Sequence, residues 1–123
     1  MATNNEKLFT SIVDKRKNEA EERRLQRQRI ADEQCKYCED FVKRNAWLEN
    51  YGIYFRIQYG KDETYDTGVL FPLIYIHNHP AYIQFTHTGE MYSHCMFLGD
   101  PLMGRRTTEE EWIKRLAERI NVH

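Results

Sequence analysis

Long apolar runs are missing from this sequence of 123 residues. A helix that crosses a bilayer needs about 20 consecutive apolar residues, and no part of the chain comes close to that length. The opening residues, MATNNEKLFT, also lack the apolar stretch of a secretory signal peptide. We therefore expect a cytoplasmic protein that makes no contact with a membrane.

The chain contains few cysteines, and its net charge is close to zero. The three cysteines form an odd set in a chain without a secretion signal, so we expect reduced thiols rather than a disulfide framework. The formal net charge of -1 argues against a general nucleic-acid binder, because such domains are usually strongly basic. Electrostatic recognition must therefore come from local clusters of charge.

Motifs for catalysis or cofactor binding are also missing. The sequence contains no Gly-x-Ser-x-Gly motif for a nucleophilic serine and no glycine-rich phosphate loop. Its carboxylates fall on segments that we expect to be helical or loop surfaces. We therefore predict that the protein is not an enzyme and takes no cofactor.

The histidines give a first suggestion of metal chemistry. Four of the five fall within residues 77–94, next to Cys95: His77, His79, His87 and His94. His77 and His87 should end neighbouring antiparallel strands at opposite ends, roughly 20 Å apart at ~3.4 Å per residue. One ion cannot reach both, so we expect strand histidines rather than a shared metal site.

Cys35 and Cys38 have the spacing of a zinc or redox motif. Both fall within a helical apolar stripe, where a free cysteine behaves as a small hydrophobic residue. We predict two thiols packed in the core and no metal site. A zinc site that recruits His94 or Cys95 from the sheet stays open as an alternative.

The first third of the chain has the composition of a helix. Residues 6–49 contain no glycine or proline and consist mainly of good helix formers, which predicts one long helix or two with a break. In residues 14–29 only Ala20 and Leu25 are apolar, so we predict a solvated shaft there. The second half should pack on the core, because apolar residues recur at helical spacing, among them Ala31, Cys35, Cys38 and Val42.

The middle of the chain reads as a sheet. Period-two alternation runs through residues 53–59 and 81–87, and residues 69–77 and 91–98 add two further apolar strands. Pro72 cannot donate to a ladder, so we expect its strand to lie at an edge or to carry a bulge. Short turns between the strands predict a four-stranded antiparallel meander.

The end of the chain reads as a loop over residues 99–106 followed by an amphipathic helix. Thr107 or Thr108, each with a glutamate three residues on, can cap that helix. The predicted fold class is α+β, with a long N-terminal helix, a four-stranded antiparallel meander sheet and an amphipathic C-terminal helix. We divide the chain into an exposed charged helical arm with an apolar tip, residues 1–29, and a single α+β domain, residues 30–123.

Two clusters on the arm are candidate recognition surfaces. The apolar tip, which the shaft separates from the core, consists of Leu8, Phe9, Ile12 and Val13. The basic strip consists of Arg16, Arg23 and Arg27 at helical spacing, with Lys17 and Arg24 beside them. The strip is explained equally well as an ordinary solvent-exposed helix face that is stabilised by ion pairs such as Glu19 with Arg23.

These features lead to competing functional hypotheses. The leading one is a non-enzymatic protein that docks on a larger protein, or on a protein–nucleic acid complex, through the arm. It would inhibit or modulate that partner, as virus-encoded inhibitors and accessory factors of this size do. Self-association through the N-terminal helix would also bury the tip.

Two alternatives belong to other functional classes. The first is a nucleic-acid binder that uses the basic strip and exposed tyrosines. The second is a small zinc-binding protein or enzyme. If the strip is only a solvent-exposed face, the solvent-exposed side of the sheet becomes the better candidate for partner binding. Its residues include Tyr54, Arg56, Tyr82 and Gln84.

Overall fold

A computed structural model of the chain describes residues 3–62, 65–79, 81–94 and 104–119. Helix α1 spans Asn4–Arg44 and is followed by a short 3-10 helix, Ala46–Tyr51. Helix α2 spans Glu109–Arg119. The strands between them are β1 Phe55–Lys61, β2 Leu70–Ile76, β3 Tyr82–Phe85, β4 Met91–His94 and β5 Arg105–Thr107. The predicted α+β class is confirmed.

Helix α1 is uninterrupted over 41 residues, about 60 Å at 1.5 Å per residue. Thr3 caps its start, where the hydroxyl oxygen accepts a hydrogen bond from the backbone N–H of Glu6 at 3.1 Å. At its other end the buried Asn45 amide donates to the carbonyl oxygen of Phe41 at 3.0 Å and to Glu109 Oε1 at 2.6 Å. One side chain thus joins the end of α1 to the start of α2.

The sheet is an antiparallel meander in the order β1-β2-β3-β4-β5. The β3–β4 connection, residues 86–90, is a short turn of the kind that joins neighbouring antiparallel strands. Gly89 in the β3–β4 turn has a φ of 88°. A Cβ at that position would lie 2.9 Å from the Tyr37 ring of α1, so both the turn and the close approach of the helix require glycine.

The predicted number of strands was too low. We expected residues 99–106 to be a loop, but Arg105–Thr107 pairs with β4 as a fifth strand, with Tyr92 opposite Arg106. Backbone pairing at a sheet edge needs no apolar alternation, which is why a polar Arg-Arg-Thr segment gave no signal. Residues 95–103, which we had divided between the fourth strand and the loop, lie outside the described residues.

Pro72 does not lie on an edge strand, as we had expected, but the local strand pairing explains why proline is tolerated there. Strand β2 lies between β1 and β3, not at the edge of the sheet. Strand β3 pairs with it only at Ile74 and Tyr75, so the described ladder on that side does not extend to Pro72. The missing N–H of proline therefore removes no hydrogen bond from that pairing.

The core lies between one face of the sheet and both helices. Phe41 of α1 is fully buried, and its ring centroid lies 5.5 Å from that of Phe55, 5.7 Å from that of Phe85 and 5.6 Å from that of Trp112. These contacts join α1 to β1, β3 and α2. As predicted, the second half of α1 packs on the core, and Cys38 is buried with it.

The two cysteines of α1 differ in their surroundings, which leads to a first prediction. The prediction that both thiols pack in the core is confirmed for Cys38 and wrong for Cys35, which is half-buried and lies outside the core cluster. Burial raises the pKa of the Cys38 thiol to about 12. Iodoacetamide reacts with thiolates, so we expect it to label Cys35 and spare Cys38 in the folded protein up to about pH 9. Mass-spectrometric peptide mapping measures the two sites separately.

Two controls make this prediction specific. In denaturant both cysteines should be labelled, because the pKa of Cys38 then returns toward its ordinary value of 9.0. A Cys35→Ser variant should leave Cys38 unlabelled in the folded state. Labelling of both cysteines at similar rates in the native protein would show that Cys38 is not held in the core.

Candidate docking surface on the projecting helix

The first half of α1 extends beyond the sheet. Residues 4–22, which we term the projecting segment, are exposed except for the half-buried Val13. Leu8 is 60%, Phe9 70% and Ile12 51% exposed. The segment is about 28 Å long at 1.5 Å per residue. The apolar tip predicted from the sequence therefore lies on this projecting part of the helix.

Most of the tip lies on the same side of α1 as the residues that pack on the sheet, whereas Leu8 is in line with the exposed Gln26. An α-helix has about 3.6 residues per turn, so residues eighteen apart lie on one line along its surface. Counted in this way, Val13 is in line with Ala31 and Ala20 with Cys38, and both Ala31 and Cys38 are buried under the sheet. The sheet-facing side of α1 thus continues into the projecting segment, where the described part of the chain provides no sheet to cover it.

Arg27 marks the point where α1 meets the end of the β1–β2 hairpin. Its Nε lies 2.6 Å from Asp62 Oδ2 and its Nη2 lies 2.9 Å from Asp62 Oδ1. The Asp62 side chain is only 2% exposed and that of Arg27 22%. A paired, partly desolvated guanidinium of this kind is a strong, directional contact.

Aromatic rings complete this contact. The guanidinium of Arg27 lies 4.8 Å from the centroid of the Phe71 ring and 5.5 Å from that of Tyr65. The guanidinium of Arg23 lies 4.9 Å from the same Tyr65 ring. Cation–π contacts add to the ion pair. Contact between α1 and the hairpin therefore begins at Arg23, within the segment that we had assigned to the arm.

The members of the basic strip have separate roles in the structure. Arg23 and Arg27 hold the β1–β2 loop, and Arg24 forms an exposed ion pair with Glu21 at 2.6 Å. Arg16 is exposed on the projecting segment. Sequence reasoning missed Asp62 and Tyr65 as partners of the strip, because nothing local to α1 points to them. Their one sequence signal is an acidic and aromatic loop directly after a strand.

A shallow concavity lies where the projecting segment meets the loop after β1. Its walls come from both elements, and its lining includes Lys17, Ala20, Arg23, Asp66 and Thr67. A second groove, farther along the segment, is lined by residues of α1 alone, such as Glu6 and Asn18. Neither encloses a small molecule. The combination of an uncovered helix side and a corner beside it has the shape of a docking surface.

The cysteine and histidine positions bear on the zinc hypothesis. Cys35 Sγ lies 3.3 Å from the hydroxyl of Tyr59, a hydrogen bond that raises the pKa of Tyr59 to about 12, whereas Cys38 lies in the core. Among the described residues, no group of three or more His, Cys, Asp or Glu side chains is placed to hold a metal ion. Cys95, which the alternative zinc site would recruit, lies outside them.

Comparisons with protein-family models, with curated proteins and with solved structures find no match to this chain. Among the helices that the structure describes, none is long and apolar enough to cross a membrane. Functional interpretation therefore depends on the surfaces of the molecule itself.

The Arg27 contact leads to a second prediction. Removing one partner of a largely buried ion pair leaves the other charge uncompensated, so Arg27→Ala should lower the free energy of unfolding by about 2 kcal/mol or more. Arg27→Lys should have an intermediate effect, because lysine keeps the charge but cannot bind both carboxylate oxygens in parallel. Urea denaturation followed by circular dichroism measures the difference.

Arg24→Ala is the matched control for this experiment. It removes an arginine three residues away on the same helix, but its partner Glu21 is exposed to solvent. Exposed pairs of this kind contribute little, so this variant should unfold like the wild type. Equal effects of Arg24→Ala and Arg27→Ala would show that the contact with Asp62 does not stabilise the fold.

Proposed function

We propose that this protein is a non-enzymatic binding protein that docks on a larger protein through the projecting segment of α1. The supporting observation is that the sheet-facing side of α1 continues for several turns past the sheet, carrying Phe9, Ile12 and Val13. Exposed apolar side chains grouped on one side of a helix are typical of interaction sites. A partner would cover them as the sheet covers the rest of that side.

The partner that fits this surface has an apolar groove for one helix. Side chains at spacings of three and four residues, here Phe9, Ile12 and Val13, are the usual anchors of a helix bound in such a groove. After Asp14, the basic residues Lys15, Arg16 and Lys17 follow the tip. Acidic side chains at the rim of the groove would complement them and accelerate association at low salt. A bound helix would inhibit or modulate the partner by occupying that groove.

The position of the basic strip makes phosphate binding by the strip the weaker hypothesis. Arg27 is already paired with Asp62, and Arg23 lies against Tyr65. A phosphate could bind these side chains only by displacing contacts that hold the β1–β2 loop. The strip therefore serves this proposal mainly through Arg16 and Lys17, at its exposed end.

Substituting the tip tests the proposal. Leu8→Ala, Phe9→Ala and Ile12→Ala together should abolish partner capture, because they remove the apolar anchors while keeping good helix formers. The melting temperature should be nearly unchanged, since exposed substitutions usually alter stability by only about ±0.5 kcal/mol each. Affinity capture from the native host, compared between variants by quantitative mass spectrometry, measures the effect.

The chain offers a matched control on the opposite side of the same helix. Lys7→Ala, Ser11→Ala and Asn18→Ala should leave capture intact, because these residues lie about half a turn from the tip. If the tip variant and the wild type retain the same proteins, the proposal is wrong. Sedimentation that shows a wild-type dimer and a monomeric tip variant would instead assign a second copy of the chain to this surface.

A further inference from the structure

The face of the sheet turned away from both helices carries a row of adjacent rings. Tyr75, Tyr82 and His94 stand opposite one another on β2, β3 and β4. The rings of Tyr82 and His94 are stacked, with centroids 4.3 Å apart and an interplanar angle of 10°, whereas those of Tyr75 and Tyr82 are tilted by 35° with centroids 5.5 Å apart. Their neighbours along the strands, such as Ile74 and Ile83, are buried in the core. The row therefore belongs to the outer face.

The His94 end of the row adjoins the backbone of the chain. A Cβ built on Gly104 would collide with the His94 ring, so the backbone of Gly104 lies close to that ring. His94 Nε2 also lies 3.2 Å from Gln84 Oε1, which holds the ring in place.

The other end of the row faces β1, where the next position is Arg56 rather than a ring. Arg56 is exposed. With its amide oxygen turned toward Arg56, Gln58 accepts a hydrogen bond from Nη2 at 2.7 Å. Among the described residues, the one ring that contacts Tyr75 is Tyr82. A flat group could therefore extend the row between the Tyr75 ring and the Arg56 guanidinium.

The charge of the sheet indicates the kind of flat group. The strands that the structure describes contain no Asp or Glu. Arg56 and Arg106 alternate onto the outer face, whereas Lys61 and Arg105 fall on the side of the sheet that faces the helices. The chain as a whole has a formal net charge of -1, so its carboxylates are concentrated on helices and loops. Glu90, in the turn before β4, lies 3.4 Å from Arg106 in an exposed pair. The sheet thus favours an anionic ligand.

We infer that this outer face binds single-stranded nucleic acid, with one base stacked between Tyr75 and Arg56 and the backbone running across the strands toward Arg106. Base stacking on aromatic rings combined with arginine contacts to phosphates is the usual mode of binding single strands. Arg56 on β1 and Arg106 on β5 are four strand spacings apart, roughly 19 Å at ~4.8 Å per strand, which a few nucleotides can span. This site is separate from the projecting segment.

Fluorescence anisotropy with labelled single strands of about 12 nucleotides, as RNA and as DNA, tests the inference. The wild type should bind at about 50 mM salt and weaken strongly by about 200 mM. Tyr75→Ala should weaken binding by about tenfold or more, because one stacked base is lost. Tyr75→Phe should bind like the wild type, since it keeps the ring. The RNA and DNA arms show whether the 2′-hydroxyl contributes.

Further variants and competitors separate this site from general attraction of anions. Arg56→Gln should reduce affinity and flatten the salt dependence, whereas Tyr51→Ala, an exposed tyrosine on the 3-10 helix, should have no effect. No binding by the wild type at low salt would overturn the inference. Normal binding by Tyr75→Ala would also overturn it, as would equal displacement of the oligonucleotide by an acidic polypeptide.

Discussion

The packing of Phe41 between the sheet and α2 is the contact on which the rest of the structure depends. Its ring touches Phe55, Phe85 and Trp112, which belong to three different elements. Together with the pair between Arg27 and Asp62 near the middle of the helix, this packing holds the C-terminal half of α1 on the domain. The N-terminal half continues in the direction that these contacts set, which determines where the apolar tip lies.

The two proposed surfaces lie on opposite sides of the molecule. Helix α1 covers the inner face of the sheet, and its projecting segment continues along that side. The row of Tyr75, Tyr82 and His94 lies on the outer face. The two proposed surfaces therefore do not overlap. The two proposals remain separable, because their variants share no residue.

The sequence predicted the elements of the fold well and some of their contacts poorly. The helical first third, the antiparallel order and the burial of Cys38 followed from composition and from periods of 3.6 and 2 residues, whereas the sequence left open whether the helix is continuous. Strand β5 was missed, because its polar Arg-Arg-Thr sequence gave no apolar alternation. For Pro72 we expected an edge strand or a bulge, whereas β2 is a central strand that is paired over different lengths on its two sides.

The sequence by itself determined that α1 is helical, that its tip is apolar and that the segment after the tip carries both basic and acidic side chains. These are local properties of neighbouring residues. Only the tertiary structure decided what the basic strip does. Arg27 meets Asp62 and Phe71, which are far along the chain, and the His94 ring adjoins the backbone of Gly104. Such pairings depend on how strands and helices are placed in space, and a periodic pattern shows which face of an element is buried but not which distant residue meets it.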